Sequence, residues 1–313
     1  MKIAILGAGA TGCNVGGHLK LAGEQVYLLD PYKAHMDAIT EKGLVWHEGD
    51  NSKTYDPIFF DYAGDDAKVV GPCDVVLIQT KNPFTKSAIE GHREIFGDHT
   101  TVITLQNGLG TTDILLEYFP AERIGYGILY SGGQVLEPGH IQMLHSPVNV
   151  LFRRLKGEKS PVYDRLLDAF ERSDFHAEYD EEIDKIIWTK VGVNCFCNMT
   201  CGITRLTMQK LLRHPDGNAV VEAIVDEVVA VAKAKGVTIL ASDVLHARES
   251  ALASPGENYP SGSQDVMHKR RTEVESLNGG IAKLGRELGV PTPVNETVAR
   301  LIRVIQDNYE HQF

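Results

Sequence analysis

The chain has no apolar run long enough to span a bilayer, so nothing in it reads as a membrane segment. It has no basic excess either. Lys and Arg total 31 against 42 Asp and Glu, a formal net charge of -11, and the acids are dispersed rather than gathered in a tail. That excludes a nucleic-acid surface, which needs basic clusters. The five cysteines, Cys13, Cys73, Cys195, Cys197 and Cys201, are too few and too unevenly placed for a secreted disulfide framework. Cys195-x-Cys197 invites a metal reading, but on a helix those side chains diverge and no paired His lies nearby. Small buried fillers are the better account, and no metal is expected. Internal repeats and low-complexity linkers are absent too. These exclusions leave a cytoplasmic globular protein of 313 residues, long enough for two domains.

The strongest positive signal is at the start. Lys2-Ile3-Ala4-Ile5-Leu6 meets Gly7-Ala8-Gly9-Ala10-Thr11-Gly12, and a second apolar run, Gln25 to Leu29, ends in Asp30. A G-x-G-x-x-G between a buried strand and a helix, with an acid downstream, is the pattern of a dinucleotide-binding βαβ unit. The apolar start is then strand one rather than a signal peptide. Gly7 permits the tight turn, Gly9 leaves room for a pyrophosphate, and Gly12 lets helix and strand approach. The helix N-terminus offers N–H groups to phosphates, and Asp30 can accept hydrogen bonds from an adenosine ribose.

Strand-like segments recur at Asp74 to Thr80, Thr101 to Leu105 and Ile124 to Tyr130, as in a parallel sheet covered on both faces. His140 to His145 and Asn149 to Phe152 read as antiparallel additions at a sheet edge. After Tyr179-Asp180-Glu181-Glu182 the helical period dominates. Asp216 is placed to cap a helix running through Val220, Val221, Ile224, Val228, Val229 and Val231 to Gly236. That helix is apolar over much of its circumference, which suits a central position or a homodimer contact. A last helix follows Pro291-Thr292-Pro293 and carries Val298, Leu301, Ile302 and Ile305; Ser254 to Ser263 reads as a loop. The expected architecture is α/β: a Rossmann-type dinucleotide-binding domain over 1–181, then an all-helical substrate-binding and catalytic domain over 182–313. The active site is expected in the cleft between them.

Lys190, Asn194 and Asn198 are spaced i, i+4, i+8 and form one stripe on a helix whose other residues are apolar. A solvated flank would explain the stripe, yet two asparagines are poor choices for a plain helix surface. Ser261, Asp265 and Glu273 are spaced so that the last two fit one helix begun by Ser261. Spacing alone favours an N-cap followed by surface charges. Gln106-Asn107-Gly108 and Lys81 each follow a strand, where ligands bind in such sheets or where only a turn is needed.

These residues together resemble the ketopantoate reductases (2-dehydropantoate 2-reductases). The resemblance covers nearly the whole chain. It rests on Gly7-x-Gly9-x-x-Gly12, Lys81, Leu105-Gln106-Asn107-Gly108, Trp188-x-Lys190-x-x-x-Asn194-x-x-x-Asn198, Ser261-x-x-Gln264-Asp265, Thr272-Glu273 and Gly289-Val290-Pro291-Thr292-Pro293-x-Asn295. It implies reduction of the 2-oxo group of ketopantoate to pantoate, on the route to coenzyme A. By the same resemblance Lys190 is the proton donor, Asn194 and Asn198 are substrate-binding amides, and Ser261 clamps substrate oxygens. Glu273 lies near the nicotinamide and the lysine, Asn107 touches cofactor and substrate, and Lys81 and Ser131 contact the cofactor.

The chain differs from the family at three places. NADP-using members often carry an arginine where this chain has Asp30. An acid there would repel a 2′-phosphate, so NAD(H) is expected over NADP(H), with Lys33 and His35 nearby to offset part of the repulsion. Met199-Thr200-Cys201 replaces the usual Pro-Leu-Thr, and Gly262 follows Ser261 where Met is common. Two other functions compete: a D-2-hydroxyacid dehydrogenase for another branched 2-oxo acid, and a non-catalytic NAD(P)-binding sensor. The sensor predicts damage to the catalytic stripe, which is intact.

Overall fold

The structure, a computed structural model, describes residues 1–48, 54–130, 132–143, 150–253 and 259–311. It divides into two compact units. The first comprises Met1–Gln106 and Thr111–Ile183, the second Asn107–Gly110 and Asp184–Phe313.

The first unit is built on strands β1 (Lys2–Leu6), β2 (Gln25–Leu29), β3 (Leu44–Glu48), β4 (Thr54–Ile58), β5 (Tyr62–Gly64), β6 (Val75–Ile78), β7 (Thr101–Thr104), β8 (Ile124–Leu129), β9 (Gly133–Glu137), β10 (His140–Met143), β11 (Val150–Arg154) and β12 (Ala177–Tyr179). The main sheet has the order β12-β11-β8-β7-β6-β1-β2-β5, and the run from β8 to β5 is parallel throughout. This is the doubly wound order, with its reversal beside β1. Continuous apolar sequence follows from burial on both faces. Along β1, Ile3 and Ile5 join one core while Ala4 and Leu6 join the other, as the two-residue period of a strand requires. Each large side chain so buried contributes about 1.5–3 kcal/mol.

The two late segments separate. β11 does pair antiparallel with β8, but it is not an edge, because β12 adds beyond it. β10 leaves the main sheet altogether. It pairs parallel with β3 in a four-stranded sheet of order β4-β3-β10-β9, which encloses Trp46 and Ile141. Pairing between strands so far apart in sequence leaves no local signal.

The second unit is helical apart from its connecting loops. Its longest helix, Ile183–Thr204, buries Trp188, Val191, Cys195, Phe196 and Met199. The helix Pro215–Ala234 is capped by His214, whose Nδ1 accepts the Asp216 N–H at 3.2 Å, so Asp216 is inside the helix rather than its cap. Gly236, at φ +90°, ends it. Its core face is Val221, Ile224, Val225, Val228 and Val231, while Val220 is exposed. The last helix, Pro293–Asp307, buries Val298 and Ile302 and leaves Leu301 in solvent. Glu227 caps it from a neighbouring helix, accepting the N–H groups of Val294 (2.8 Å) and Asn295 (2.9 Å). The fully buried Asn295 also donates from Nδ2 to Glu227 and accepts from Asn278 Nδ2, which in turn reaches the Cys195 carbonyl. A buried polar chain of this kind holds its helices in one register.

The short loop Asn107–Gly110 follows β7 yet groups with the helical unit. The Leu109 N–H donates to the Ser276 carbonyl at 2.7 Å, and a Cβ on Gly108 would lie 2.5 Å from the same oxygen. Gly108 has φ +89°, so glycine is required there on both counts.

Candidate active site

The glycine loop of the first unit has the geometry its sequence suggests. Gly7 adopts φ +100° and donates its N–H to Leu29 O at 2.8 Å; a Cβ there would lie 2.5 Å from Thr80 N. A Cβ on Gly12 would come within 2.0 Å of Gly7 O, so the helix Ala10–Leu21 packs on β1 only with glycine there. Gly9 is different. Nothing lies within 4 Å of a Cβ built on it, and the helix it precedes has no side-chain cap. Ala8 is buried in this loop, while Ala10 and Thr11 are half-buried at the start of the helix.

Asp30 is bound into the same loop. One carboxylate oxygen accepts the Ala8 N–H at 2.9 Å and the other accepts the Tyr32 N–H at 2.8 Å. Its side chain remains half-exposed, and each oxygen keeps a second lone pair. Lys33 and His35 do not act as expected. Lys33 pairs with Asp37 on an exposed helix face. His35 is buried, accepts the Gly139 N–H on Nδ1 at 2.8 Å, and places Nε2 3.5 Å from Cys13 Sγ. Burial holds its pKa below the ordinary histidine value, with Asp30 opposing, so it stays neutral near pH 7. It starts the helix Lys33–Lys42 facing inward, which its sequence position alone does not reveal.

Lys81 follows β6 in extended backbone, before the turn Asn82–Phe84. Gln106, at the end of β7, donates from Nε2 to Thr80 O (2.6 Å) and Thr85 Oγ1 (2.8 Å), tying the two strand ends together. Ser131 lies outside the described residues.

In the second unit Lys190, Asn194 and Asn198 share the helix Ile183–Thr204; the first two are half-buried and Asn198 is buried. Burial lowers the Lys190 pKa to about 8, with the Glu273 carboxylate acting in the opposite direction to favour the charge. The Asn198 side-chain oxygen accepts the Gly262 N–H at 3.2 Å and the Ser261 hydroxyl at 3.4 Å. A Cβ on Gly262 would lie 2.7 Å from Asn198 Cβ, which accounts for glycine where Met is common.

Glu273 is not on the helix begun by Ser261. That helix, Ser261–Met267, stops at a left-handed Lys269, and Glu273 lies in the following connection. Asp265 is buried on it and pairs with Arg270 at 3.0 Å, a structural role. The half-buried Glu273 accepts from the Ser276 N–H and hydroxyl, both at 3.1 Å, on its backbone carbonyl. Ser276 then receives the Leu109 N–H, so the Asn107 loop and Glu273 are held by one residue. Sequence reading passed over Ser276; its one signal was its position three residues beyond Glu273. It also missed Gln306, whose side-chain oxygen accepts from the N–H (3.3 Å) and hydroxyl (3.2 Å) of Thr272.

All five cysteines are buried thiols, and burial raises the pKa of each. No group of three metal-ligating side chains occurs among the described residues. Nor is any helix among them long and apolar enough to cross a membrane.

Comparison with known proteins covers both units. Residues 3–155 match the family described as ketopantoate reductase PanE/ApbA, and residues 182–306 match its C-terminal region. The 2-dehydropantoate 2-reductase of Halobacterium salinarum is 31% identical over 98% of this chain and 99% of that protein. The enzyme of the same name from Streptococcus pyogenes is 28% identical over 96% and 97%. Among solved structures, D-mandelate dehydrogenase with NADH and anilino(oxo)acetate superposes with a TM-score of 0.89 at 27% identity, covering 99% of this chain and 100% of that one. A PanE/ApbA family ketopantoate reductase from Ralstonia eutropha gives 0.88 at 29% identity, with the same coverage.

Proposed function

The chain belongs to the ketopantoate reductase family of NAD(P)H-dependent oxidoreductases, and from that premise we propose that it reduces 2-dehydropantoate to pantoate, a step of pantothenate and coenzyme A biosynthesis. The observation that carries the reading is Lys190, a half-buried amine with a pKa near 8 in the field of Glu273. A ketone reduction needs an acid that is charged when the carbonyl oxygen becomes an alkoxide and can then release its proton. An ordinary lysine, near 10.4, releases it reluctantly.

The first unit fits a nicotinamide dinucleotide. The open space at Gly9 and the uncapped helix behind it suit a pyrophosphate, with Ala8, Ala10, Thr11 and Gly12 completing the turn. Lys81, Asn107 and Ser131 are proposed as further contacts. When bound, the cofactor supplies the hydride that the carbonyl carbon accepts. Lys190 Nζ stabilises the charge that develops on oxygen and gives up its proton there. Glu273 keeps that amine protonated at neutral pH. With its oxygen engaged by Ser261 and Gly262, Asn198 has its Nδ2–H groups left to orient a substrate oxygen. Asn194, Asn107 and the exposed Ser261 are assigned the remaining substrate contacts. None of these groups adds a negative charge that would oppose hydride arrival.

Asp30 supports NADH over NADPH. Its free lone pairs suit ribose hydroxyls, and its charge opposes a 2′-phosphate. Likeness to D-mandelate dehydrogenase, together with Met199-Thr200-Cys201 beside the amide stripe, favours a second reading within the same chemistry: reduction of another branched 2-oxo acid. Measuring kcat/KM for a panel of 2-oxo acids with both cofactors tests all three statements. The highest value should belong to 2-dehydropantoate with NADH. A higher value for a different acid selects the second reading, and absence of turnover with every acid leaves a cofactor-binding sensor.

A further inference from the structure

The peptide groups of Ala8, in the middle of the glycine loop, are held on both sides. The N–H meets the Asp30 carboxylate at 2.9 Å, and the carbonyl accepts the Cys13 thiol at 3.1 Å. Cys13 Sγ lies 3.5 Å from His35 Nε2, and His35 Nδ1 accepts the Gly139 N–H at 2.8 Å. One line of polar contacts therefore runs from the acid proposed for the ribose, through the loop proposed for the pyrophosphate, to the turn between β9 and β10. Ala8 and Cys13 are fully buried and His35 is 1% exposed, so bulk water does not stand in for any link. Gly139 also packs on the helix Lys33–Lys42: it has φ +79°, and a Cβ on it would lie 2.9 Å from Ala38 Cβ.

A buried imidazole is more than one N–H requires, since an asparagine offers an acceptor without a titrating ring. Because Nδ1 accepts from Gly139, the single proton of the neutral ring sits on Nε2, the atom that faces Cys13. A second proton would put an N–H on Nδ1 directly against the Gly139 N–H. Two donors would then meet 2.8 Å apart, and the ring or the turn must move. Burial opposes that charge and outweighs the Asp30 carboxylate and the Ala8 carbonyl, which favour it, so the ring charges only below the ordinary histidine range. Cys13 is kept a neutral thiol by its own burial, and Tyr32 stacks on the ring at 5.8 Å. The remaining charged groups nearby engage one another: Lys33 with Asp37 on the exposed helix face, and Glu137 with His140 across the turn at 3.5 Å.

We propose that His35 is a positioning residue of the dinucleotide site: its neutral ring holds the Ala8 peptide groups, and through them the Asp30 carboxylate, in the arrangement that receives the cofactor, and protonation of the ring releases them. The role rests on the dinucleotide reading of the first unit. Its sign is fixed by the geometry. The neutral form makes the Gly139 contact and the charged form breaks it, so the dinucleotide binds more weakly as pH falls.

The test measures the Kd of NAD⁺ or NADP⁺, whichever binds tighter at pH 8, by calorimetry. It runs from pH 8 down to the lowest pH at which circular dichroism still shows the proteins folded. The parent is compared with His35→Asn, which keeps an acceptor near Nδ1, and His35→Gln, which keeps a donor near Nε2; neither replacement titrates. The parent should lose at least fivefold in affinity over the range, and whichever variant folds should change less than twofold. A flat profile in the parent overturns the role even if neither variant folds, and equal weakening in parent and variant overturns it too. If the parent unfolds at a higher pH than the variants while its Kd stays flat above that point, the ring supports only the fold, and the role falls. Absence of binding by both cofactors at pH 8 overturns the dinucleotide reading and this role with it, whereas binding that ignores His35 overturns the role alone.

Discussion

Asp30 and Ala8 are joined by a 2.9 Å hydrogen bond from the loop N–H to the carboxylate. The acid that is expected to select the cofactor is thus also a support for the loop proposed to hold its pyrophosphate. Asp30→Asn removes the charge and keeps one acceptor, whereas Asp30→Ala removes both acceptors. The ratio of kcat/KM for NADPH over NADH should rise about tenfold or more in Asp30→Asn, since opposed charges about 4 Å apart at a partly solvated site differ by a few kcal/mol before screening. Asp30→Ala should shift the ratio similarly and also weaken NADH binding. A parent enzyme that already prefers NADPH would show that Asp30 does not face the ribose.

Lys190→Ala should lower kcat by roughly two orders of magnitude or more, because the charge on the carbonyl oxygen then forms without its cation. The Kd for NADH, measured by fluorescence, should change little. A kcat near the parent value would remove Lys190 from the chemistry.

The pH profile follows from the direction of the Lys190 shift. Reduction needs the protonated amine, so its kcat should fall as pH rises through about 8. Oxidation of the product needs the neutral amine and should rise over the same interval. Glu273 favours the charged form, so Glu273→Gln should move both midpoints to lower pH. Midpoints that stay fixed in that variant would separate the two residues.

Glu227→Ala should destabilise the helical unit by about 2 kcal/mol, read as a lower denaturant midpoint. It removes the acceptor of the Val294 and Asn295 N–H groups and leaves the buried Asn295 Nδ2 with only the Ile224 carbonyl, at 3.3 Å. Glu227→Gln, which keeps an acceptor, should recover part of the loss. Equal midpoints for Glu227→Ala and the parent would mean that water replaces the carboxylate.

Much of this molecule is legible locally because its signals are local. The turn at Gly7, the close packing at Gly12 and the Lys190, Asn194, Asn198 stripe each depend on residues within a few positions of one another. What escaped depends on distant partners or on an unusual backbone. β3 and β10 pair across many intervening residues, and no pattern within either strand names the other. The helix begun by Ser261 was extended towards Glu273 because its stop is Lys269, a residue that carries no stop signal. His35 was expected to offset part of the Asp30 charge, and its inward turn escaped notice because it is set by the distant Gly139 N–H. Glycine at 262 looked like a departure until Asn198 was seen against it.

The loop Asn107–Gly110 makes the helical unit discontinuous in the chain. Its bond from Leu109 to Ser276 closes a very long loop, an ordering cost that only the completed sheet and helices together can offset. During synthesis the strand segments emerge first, so the Leu109 N–H waits for its acceptor until most of the helices exist. A fragment starting at residue 184 would therefore keep Lys190 and lose the donor that fills the Ser276 carbonyl, along with Gly108 packed on top of it. The helical unit is therefore not a genetic module: cutting the chain between residues 183 and 184 leaves the residues of the first unit whole and takes Asn107–Gly110 out of the second.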